Sequence, residues 1–425
     1  MLFLNIINWA ALALVILLAL LILFEPPLRY SVRGLSAATD SNEFLGVVCA
    51  LAVAEMHPYS GVETLTDGKT FYPAELEAIR NAVWSVHIEV FIFRTGAIGD
   101  RFLAALVERA RNGVQVKVVV DAFGSFLTPD NYFQRLRDAG GEVRWYQPFR
   151  LANFKRWNNR THRKLITIDG TIGFIGGAGI ARHWDGGDNK HLPWRDIMFK
   201  LEGPLVTGLQ STFAENWLES SGEILANPAD YLGDAVRETP GTRGMVVMST
   251  PTAGRSSRTR ILFQVLLAGA GVSIDIHSPY FLPDRSATEE LVRASRDRGV
   301  RVRVIVPGST NNHPLSRLAS RRRYGPLLNA GVEIYEYWPG MLHTKTMTVD
   351  GLWVVIGSTN FDSRSFDLND EVNMVAVDRH FAEQIGKQFE ADLLKCHSVT
   401  NAQWSRRSMP ERVASNIARV FERQE

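Results

Sequence analysis

The sequence predicts an α/β protein made of two repeated halves with a pseudo-twofold relation, preceded by one N-terminal transmembrane helix. The first observation is a pattern, H-x-K-x-x-x-x-D-G, that occurs twice and begins at His162 and at His343. The second is that strand and helix patterns alternate in the same order before both copies, which indicates a helix-covered sheet in each half. The third is an unbroken apolar run near the N-terminus, at residues 9–24.

Residues 3–24 form the predicted transmembrane helix. Only Asn5 and Asn8 interrupt its apolar character, and a helix of about 20 residues is long enough to cross a bilayer. Arg29 and Arg33 follow this run, whereas no Lys or Arg precedes it. Because cytoplasmic flanks carry the excess of positive charge, the sequence predicts a single-pass protein with its bulk in the cytoplasm.

The remaining chain is expected to form four segments. An apolar stretch in the first of them, 44–54, is too short to span a bilayer and predicts a buried or interfacial helix. A region rich in Pro, Gly, Ser and Thr separates the two halves and is typical of a linker. The predicted segments are a membrane-proximal segment at 25–60, a first domain at 61–226, a linker at 227–258, and a second domain at 259–425 that ends in a helix at 409–425.

Each half contains a matching strand–helix–strand pattern followed by another strand. Alternating valines indicate the strands, and apolar residues three and four apart indicate the helices. The same order in both halves predicts a central sheet in each. In the first half the elements are 88–93, 100–112, 113–121 and 139–146; in the second they are 272–277, 284–298, 299–306 and 330–337.

The repeated pattern predicts a hairpin that presents an imidazole and an ammonium group together. Alternate side chains of a strand share a face, so His162 and Lys164 point into the same space, as do His343 and Lys345. The Asp-Gly pair that ends each copy is a strong turn signal, and an apolar return strand follows it. Two such half-sites, brought together, would surround one anionic centre with two histidines and two lysines.

This set of groups is suited to phosphoryl transfer. Lysine ammonium groups can neutralise the phosphate oxygens and the added charge of a five-coordinate transition state. One imidazole can attack phosphorus, while the second protonates the departing oxygen and deprotonates the incoming one. The sequence shows no cluster of carboxylates typical of Mg²⁺ sites and no Cys/His zinc pattern, so the predicted chemistry uses no metal and no cofactor.

Composition limits the class of partner. The chain has 47 Lys and Arg against 45 Asp and Glu, a net charge of +2, and therefore lacks the strong basic character of most nucleic-acid-binding domains. No nucleic-acid partner is expected. The two cysteines, Cys49 and Cys396, form no metal-binding spacing and no disulfide framework, which fits a reducing compartment.

The doubled H-x-K-x4-D pattern resembles the signature of the phospholipase D superfamily. Within that superfamily the chain is most similar to the bacterial cardiolipin synthases, and the resemblance extends over about 61–406. It implies two phospholipase D-type α/β sandwich halves and a location in the bacterial inner membrane. The stretches that support it are 66–73, 88–93, 158–164, 194–197, 201–204, 278–284 and 357–371.

The resemblance implies a role for each residue of the two half-sites. His162 and His343 would be nucleophile and general acid/base, with the first-half histidine as the expected nucleophile. Lys164 and Lys345 would bind phosphate. The remaining residues are the motif aspartates Asp169 and Asp350, expected mainly to fix the hairpins; the orienting carboxylates Asp196 and Glu371, which follow the return strand in each half; and the phosphate donors Ser358 and Asn360.

One departure from the family pattern lies in the first half. Where Gly-Gly-x-Asn is usual, the chain has Gly176, Gly177, Ala178 and Gly179. An amide donor is therefore missing there. Two outcomes are expected: backbone N–H groups of this turn, at Gly176 and Gly177, replace it in substrate binding, or the handling of the substrate is altered. The loss leaves the predicted core chemistry intact.

The expected function is transfer of a phosphatidyl group between two phosphatidylglycerol molecules through a phosphohistidine, giving cardiolipin and glycerol. The expected partners are phosphatidylglycerol, other anionic phospholipids and the membrane. Three alternatives stay open: a phospholipase D that uses water as acceptor, a nuclease or phosphodiesterase on the same scaffold, and an inactive membrane scaffold that binds anionic lipid.

Overall fold

A computed structural model describes residues 28–149, 158–186, 192–231, 241–251 and 257–409, together with residues 9, 13, 14, 411, 412 and 415. The predicted transmembrane helix at 3–24 and the predicted C-terminal helix at 409–425 lie largely outside these residues. Among the described residues, no helix is long and apolar enough to cross a membrane.

The first half contains a mixed sheet with helices packed on it. Its core joins the buried valines and isoleucines of the parallel strands to aromatic side chains of the helices, including Phe71, Phe102 and Phe133. The elements are α1 (Asn42–Ala52), β1 (His57–Leu65), α2 (Gly68–Asn81), β2 (Ser85–Val90), α3 (Ala97–Arg111), β3 (Gln115–Asp121), α4 (Gln134–Asp138), β4 (Glu142–Tyr146), β5 (Arg160–Thr161), β6 (Lys164–Ile168), β7 (Ile172–Gly176), β8 (Met198–Glu202) and α5 (Leu205–Ser221).

The second half repeats this order and adds short elements. Its core is built from the same kinds of residues, and Phe44 and Val48 of α1 pack into it. The elements are β9 (Thr242–Ser249), α6 (Arg258–Gly269), β10 (Ser273–His277), β11 (Phe281–Leu282), α7 (Arg285–Val292), β12 (Arg301–Pro307), α8 (Pro314–Asn329), β13 (Glu333–Tyr337), β14 (Thr346–Val349), β15 (Trp353–Gly357), β16 (Phe361–Asp362), α9 (Ser363–Asp367), β17 (Asn369–Val377), α10 (Arg379–Leu393), β18 (Cys396–Ser398) and α11 (Asn401–Ser405).

The two halves share one continuous sheet in the described residues. Its order is β18-β13-β12-β10-β14-β15-β17-β9-β1-β8-β7-β6-β2-β3-β4. Apart from β18, the order on one side of the β9–β1 seam matches the order on the other side, strand for strand. The seam is antiparallel, with His57 opposite Gly244. The predicted α/β architecture of two repeated halves is therefore confirmed.

The strands at the seam come from segments that we expected to be connections. β9 lies inside 227–258, the predicted linker, and β1 begins inside 25–60, the predicted membrane-proximal segment. The turn-forming residues that flank β9 dominate the composition of this region and conceal the short strand pattern between them. Pairing with β1 and β17 supplies the hydrogen bonds and burial that make β9 a strand.

The apolar stretch expected to form a short helix does form α1. Ser41 caps its N-terminus by accepting a hydrogen bond from the Phe44 N–H, and Val53 ends it in the left-handed conformation. The apolar face of α1 packs against the second half, where Phe44 contacts Trp353 edge-to-face at a centroid distance of 5.4 Å. One face of this helix is therefore buried, whereas Val47 and Leu51 on its other face are 38% and 44% exposed.

Candidate active site

The backbone at the start of each H-x-K motif is hydrogen-bonded to the other half of the molecule. β5 pairs in parallel with β17 through Thr161 and Asp370, and the His162 N–H donates to the Asp370 carbonyl at 2.9 Å. The other motif strand is fixed in the same way, since the His343 N–H donates to the Arg195 carbonyl at 2.7 Å. The pseudo-twofold relation thus places both histidines at the junction of the halves.

Each catalytic-motif histidine is hydrogen-bonded to a buried carboxylate of the other half. Nδ1 of His162 lies 2.9 Å from Oε1 of Glu371, and Nδ1 of His343 lies 2.7 Å from Oδ2 of Asp196. A carboxylate oxygen accepts, so Nδ1 carries the proton and Nε2 is left for chemistry. Both carboxylates were predicted to orient an imidazole. That each carboxylate orients the histidine of the other half was not predicted.

The two carboxylates are themselves held by neighbouring groups. The Ser358 hydroxyl donates to Glu371, and the Trp184 indole N–H donates to Asp196 at 3.1 Å. In the structure the Ser358 hydroxyl has a carboxylate partner, and its expected role in binding phosphate stays a prediction. This contact makes Ser358 part of the support for His162.

The lysines lie over the backbone of their own motif strands. Lys164 Nζ donates to the His162 carbonyl at 2.5 Å, and Lys345 Nζ donates to the His343 carbonyl at 2.6 Å. Both side chains are buried. Burial lowers the pKa of Lys345 to about 8 and, with the charge of Lys345 added, holds the pKa of Lys164 well below its usual value.

The same burial keeps both imidazoles neutral. Desolvation, followed by the charges of Lys164 and Lys345, holds the pKa of His162 well below its usual value. Desolvation and Lys345 lower the pKa of His343 to about 3. Because each histidine responds to lysines of both halves, the four motif side chains form one electrostatic unit.

Aromatic side chains that we did not predict form the walls around the imidazoles. The Phe91 ring contacts His162 edge-on at a centroid distance of 5.3 Å. Trp184 and Trp194 lie 5.4 and 5.1 Å from His343. These rings exclude water from the imidazole faces and produce the desolvation that lowers the histidine pKa values. Two of these aromatic residues, Phe91 and Trp194, lie in stretches that supported the family resemblance.

Arg364 and Asp362 are further groups near the site that sequence reasoning missed. Arg364 lowers the pKa of His162 through its charge, and its guanidinium donates to Asn158 at 3.2 Å. Burial raises the pKa of Asp362 to about 7. Both lie in the 357–371 stretch that supported the family resemblance. The sequence therefore indicated the segment but not these particular side chains.

The motif aspartates do not reach this site, which corrects their place in the predicted catalytic set. Asp169 accepts hydrogen bonds from the N–H groups of Val83, Trp84 and Ser85, at the far end of β6. Asp350 occupies the equivalent turn beyond β14. Both residues have positive φ, 52° and 55°, as a tight Asp-Gly turn requires. They fix the hairpins, as the turn position suggested.

The glycines of the first half serve close packing. A side chain at Gly177 would collide with the carboxylate of Asp196, and one at Gly176 would collide with the Ile197 backbone. A Cβ at Gly179 would lie 2.7 Å from the Ile92 carbonyl oxygen, so an asparagine does not fit there without a backbone shift. The missing amide is therefore a consequence of the packing of this half.

Asn360 is the second-half counterpart of Gly179. It is buried, and its side-chain oxygen has no hydrogen-bond partner among the described residues. Its predicted role as a phosphate donor stays a prediction. Among the residues that the structure describes, no set of three His, Cys, Asp or Glu side chains is arranged to hold a metal ion.

Solved structures share this fold. A phosphatidylserine synthase from Haemophilus influenzae Rd KW20 aligns with 90% of this chain and 98% of its own, with a TM-score of 0.67 and 15% identity. A polyphosphate kinase from Porphyromonas gingivalis aligns with 86% of this chain and 53% of its own, with a TM-score of 0.55 and 12% identity. At these identities the likeness shows the fold alone.

Sequence relatives define the family. The family model described as "Cardiolipin synthase, PLD-like domain" matches residues 76–184 and 264–393. The chain is 33% identical over 363 residues to a cardiolipin synthase of Oceanobacillus iheyensis, covering 85% of this chain and 74% of that protein. It is 32% identical over 400 residues to the probable cardiolipin synthase YwiE of Bacillus subtilis, covering 94% and 79%.

The doubled motif, the shared sheet and the paired site define an enzyme of the phospholipase D superfamily. Within it, the chain belongs to the cardiolipin synthase family with a phospholipase D-like domain.

Proposed function

We propose that the enzyme joins two phosphatidylglycerol molecules into cardiolipin and releases glycerol, using His162 as nucleophile and His343 as general acid and base. The observation that carries the proposal is the composite site, in which each imidazole is bonded through Nδ1 to a carboxylate of the other half. Phospholipid substrates also agree with the names of the curated relatives, which are cardiolipin synthases.

In the first step Nε2 of His162 attacks the phosphorus of one phosphatidylglycerol. When the substrate binds, His343 takes up a proton from solvent at Nε2. The bond between phosphorus and the glycerol headgroup oxygen then breaks, and His343 gives this proton to that oxygen, so glycerol leaves. The lysine ammonium groups stabilise the charge on the phosphate oxygens. The phosphodiester brings a negative charge between Lys164 and Lys345, which offsets their effect and raises the pKa of His343 towards that of a working acid.

In the second step the terminal headgroup hydroxyl of another phosphatidylglycerol gives its proton to His343. The resulting oxygen attacks phosphorus, the phosphorus–nitrogen bond breaks, and His162 is restored with cardiolipin as product. Transfer requires the lipid alcohol to outcompete water. The aromatic walls formed by Phe91, Trp184 and Trp194 favour this outcome because they limit the access of water to the imidazoles.

Anchoring to the bacterial inner membrane is part of the proposal. The apolar run at 3–24 would confine a single-pass enzyme, with its catalytic halves in the cytoplasm, to the surface that contains its substrates. A nuclease has no equivalent need for such a segment, and the near-neutral net charge of +2 does not favour a polyanion channel.

Purified full-length protein in mixed micelles of detergent and phosphatidylglycerol tests the proposal. Without nucleotide and with EDTA present, we expect equimolar cardiolipin and glycerol, detected by thin-layer chromatography and an enzymatic glycerol assay. Phosphatidic acid in place of cardiolipin would identify a hydrolase with the same residues. Loss of turnover on addition of EDTA would contradict the proposed metal-independent phosphohistidine.

A further inference from the structure

An exposed apolar loop lies beside the candidate active site. This aromatic loop, residues 121–128, begins at the end of β3, and its side chains Phe123, Phe126 and Leu127 are 64%, 66% and 65% exposed. The rings of the two phenylalanines lie 6.4 Å apart and form one patch. Phe149, which is 77% exposed, follows the neighbouring parallel strand β4 at the same edge of the sheet.

The aromatic loop is held in place by hydrogen bonds. Oδ1 of Asp121 accepts from the N–H groups of Phe123 and Gly124 at 2.9 and 2.8 Å. The Ser125 hydroxyl donates to the Phe91 carbonyl at 2.9 Å, and the Thr128 hydroxyl donates to the Phe93 carbonyl at 2.5 Å. These bonds fix the backbone of the loop. The fold itself therefore keeps the apolar side chains exposed.

The same bonds connect the aromatic loop to the catalytic histidine. Oδ2 of Asp121 accepts from the N–H of Thr161, the residue before His162, at 3.0 Å. Phe91, whose carbonyl holds Ser125, forms the wall of His162 and lies 5.6 Å from Lys164 Nζ. Phe91 and the contact between Asp121 and Thr161 therefore connect the backbone of the aromatic loop to the surroundings of His162.

The counterpart loop of the second half lacks this character. Because β12 corresponds to β3 in the repeated sheet order, residues 308–313 correspond to the aromatic loop, and they read Gly-Ser-Thr-Asn-Asn-His. The fold therefore does not require exposed aromatic side chains at this position. Phe123, Phe126 and Leu127 are therefore specific to the first half, whereas an exposed aromatic residue follows the next strand in both halves, Phe149 after β4 and Trp338 after β13.

The surroundings of the patch indicate which partner covers it. The guanidinium of Arg94 lies 5.3 Å from the centre of the Phe126 ring, and among the described residues its Nη1 has no hydrogen-bond partner. An apolar tip with a cation behind it matches the interface of a lipid monolayer, where acyl chains lie beneath anionic headgroups.

We propose that the aromatic loop inserts Phe123, Phe126 and Leu127 into an anionic phospholipid monolayer, with Arg94 at the level of the headgroup phosphates. The insertion places His162 next to the headgroups, so a lipid enters the site without leaving the membrane. This inference rests on the proposed function for its purpose, but its test has an arm that needs no turnover.

The first experiment compares two physical forms of the substrate. The double variant Phe123→Ser/Phe126→Ser is expected to lose about tenfold or more of its activity on phosphatidylglycerol vesicles, because burial of two phenyl groups is removed. Activity on a short-chain phosphatidylglycerol dissolved as monomers is expected to stay at the wild-type value. The variant Phe123→Leu/Phe126→Leu keeps the patch apolar and should restore the vesicle activity. Equal losses on both forms, or no loss on vesicles, would overturn the proposal.

A matched control changes exposed apolar residues elsewhere. Leu394 and Val272 are 90% and 70% exposed and lie in the second half. The variant Leu394→Ser/Val272→Ser removes similar apolar area, and we expect its vesicle activity to equal that of the wild type. A loss as large as that of the loop variant would mean that general surface polarity, and not the aromatic loop, sets membrane affinity.

The second experiment measures insertion directly. A Phe126→Cys variant in a Cys49→Ser/Cys396→Ser background is labelled with an environment-sensitive fluorophore and mixed with vesicles of phosphatidylglycerol and brominated lipid. We expect a blue shift and quenching by the bromine atoms, whereas a label at Leu394→Cys stays unquenched. Absence of quenching at residue 126 refutes the insertion whatever the activity. Quenching without any cardiolipin formation would keep the insertion and reject the proposed function.

Discussion

Burial decides the protonation states of the groups in the candidate site. The carboxyl of Glu371 and the ammonium of Lys345 are both enclosed, so the charged form of each is disfavoured. Burial raises the pKa of Glu371 to about 7 and lowers the pKa of Lys345 to about 8. The site therefore has its working charges, a carboxylate and an ammonium, only over a narrow range near neutral pH.

The pH profile of turnover should show both groups. As pH falls below about 7, Glu371 is protonated and no longer holds the Nδ1–H of His162; as pH rises above about 8, Lys345 loses its charge. We expect kcat to fall on both sides. Glu371→Gln should lower kcat by about 100-fold or more and remove the acid limb, while the alkaline limb remains. An unchanged acid limb in this variant would assign that limb to another group.

Glu75 of α2 provides a test of burial away from the site. Desolvation raises its pKa to about 8. The raised pKa means that the folded state binds this proton more tightly than the unfolded state, so the stability contribution is full below the ordinary carboxyl pKa and is lost as pH rises towards about 8. Wild-type stability should fall relative to Glu75→Gln across this window, by at most about 1.4 kcal/mol per pH unit.

Thermal melting of wild type and Glu75→Gln in detergent, at several pH values between about 5 and about 9, measures this difference. We expect the two midpoints to be close in acid and the variant to be higher at alkaline pH. Parallel curves across the whole range would show that Glu75 keeps an ordinary pKa in the folded protein.

At the scale of the element, each motif hairpin is fixed by the aspartate in its turn. Asp350 accepts from the N–H groups of Gly271, Val272 and Ser273 with distances of 2.8 to 3.2 Å, and it also accepts from the Thr39 hydroxyl at 2.7 Å. These bonds tie the end of β14 to the start of β10 and to the segment before α1. The hairpin in turn determines where His343 and Lys345 lie.

Asp350→Ala should therefore destabilise the fold with little effect on chemistry. The unpaired N–H groups are expected to cost about 1–3 kcal/mol of unfolding free energy, while turnover per folded molecule changes little. Asp350→Asn keeps one acceptor oxygen and tolerates positive φ, so its loss should be smaller. Denaturant unfolding and kcat corrected for the folded fraction measure both effects. A large fall in kcat without destabilisation would return this aspartate to the catalytic set.

At the scale of the whole molecule, the two halves form one site that neither half contains alone. His162 depends on Glu371 and His343 depends on Asp196, and Arg195 adds ion pairs to Asp392 across the junction at 3.0 Å. The continuous sheet across the β1–β9 seam holds these partners in register. The repeat therefore supplies two different roles in a single reaction centre.

Single substitutions should show this dependence. We expect His162→Ala and His343→Ala each to reduce cardiolipin formation by at least about 100-fold, since nucleophile and acid are both required. The control is His87→Ala. His87 is a buried histidine of β2 that lies outside the motif and stacks on Phe213. Its loss should affect stability first. Half of the activity remaining in either motif variant would indicate two independent sites.

From motif spacing and local alternation the sequence alone predicted the repeat and the paired histidines and lysines, and through its resemblance to a known family it indicated the family and the orienting carboxylates. It could not determine which carboxylate serves which histidine. His162 and Glu371 are 209 residues apart, and no local rule connects them. Likewise β9 is a strand only because β1 and β17 lie on either side of it. The exposure of the aromatic loop follows from the hydrogen bonds that tie residues 121–128 to Phe91 and Phe93, just after β2. These features depend on contacts between distant segments, and the folded chain alone brings those segments together.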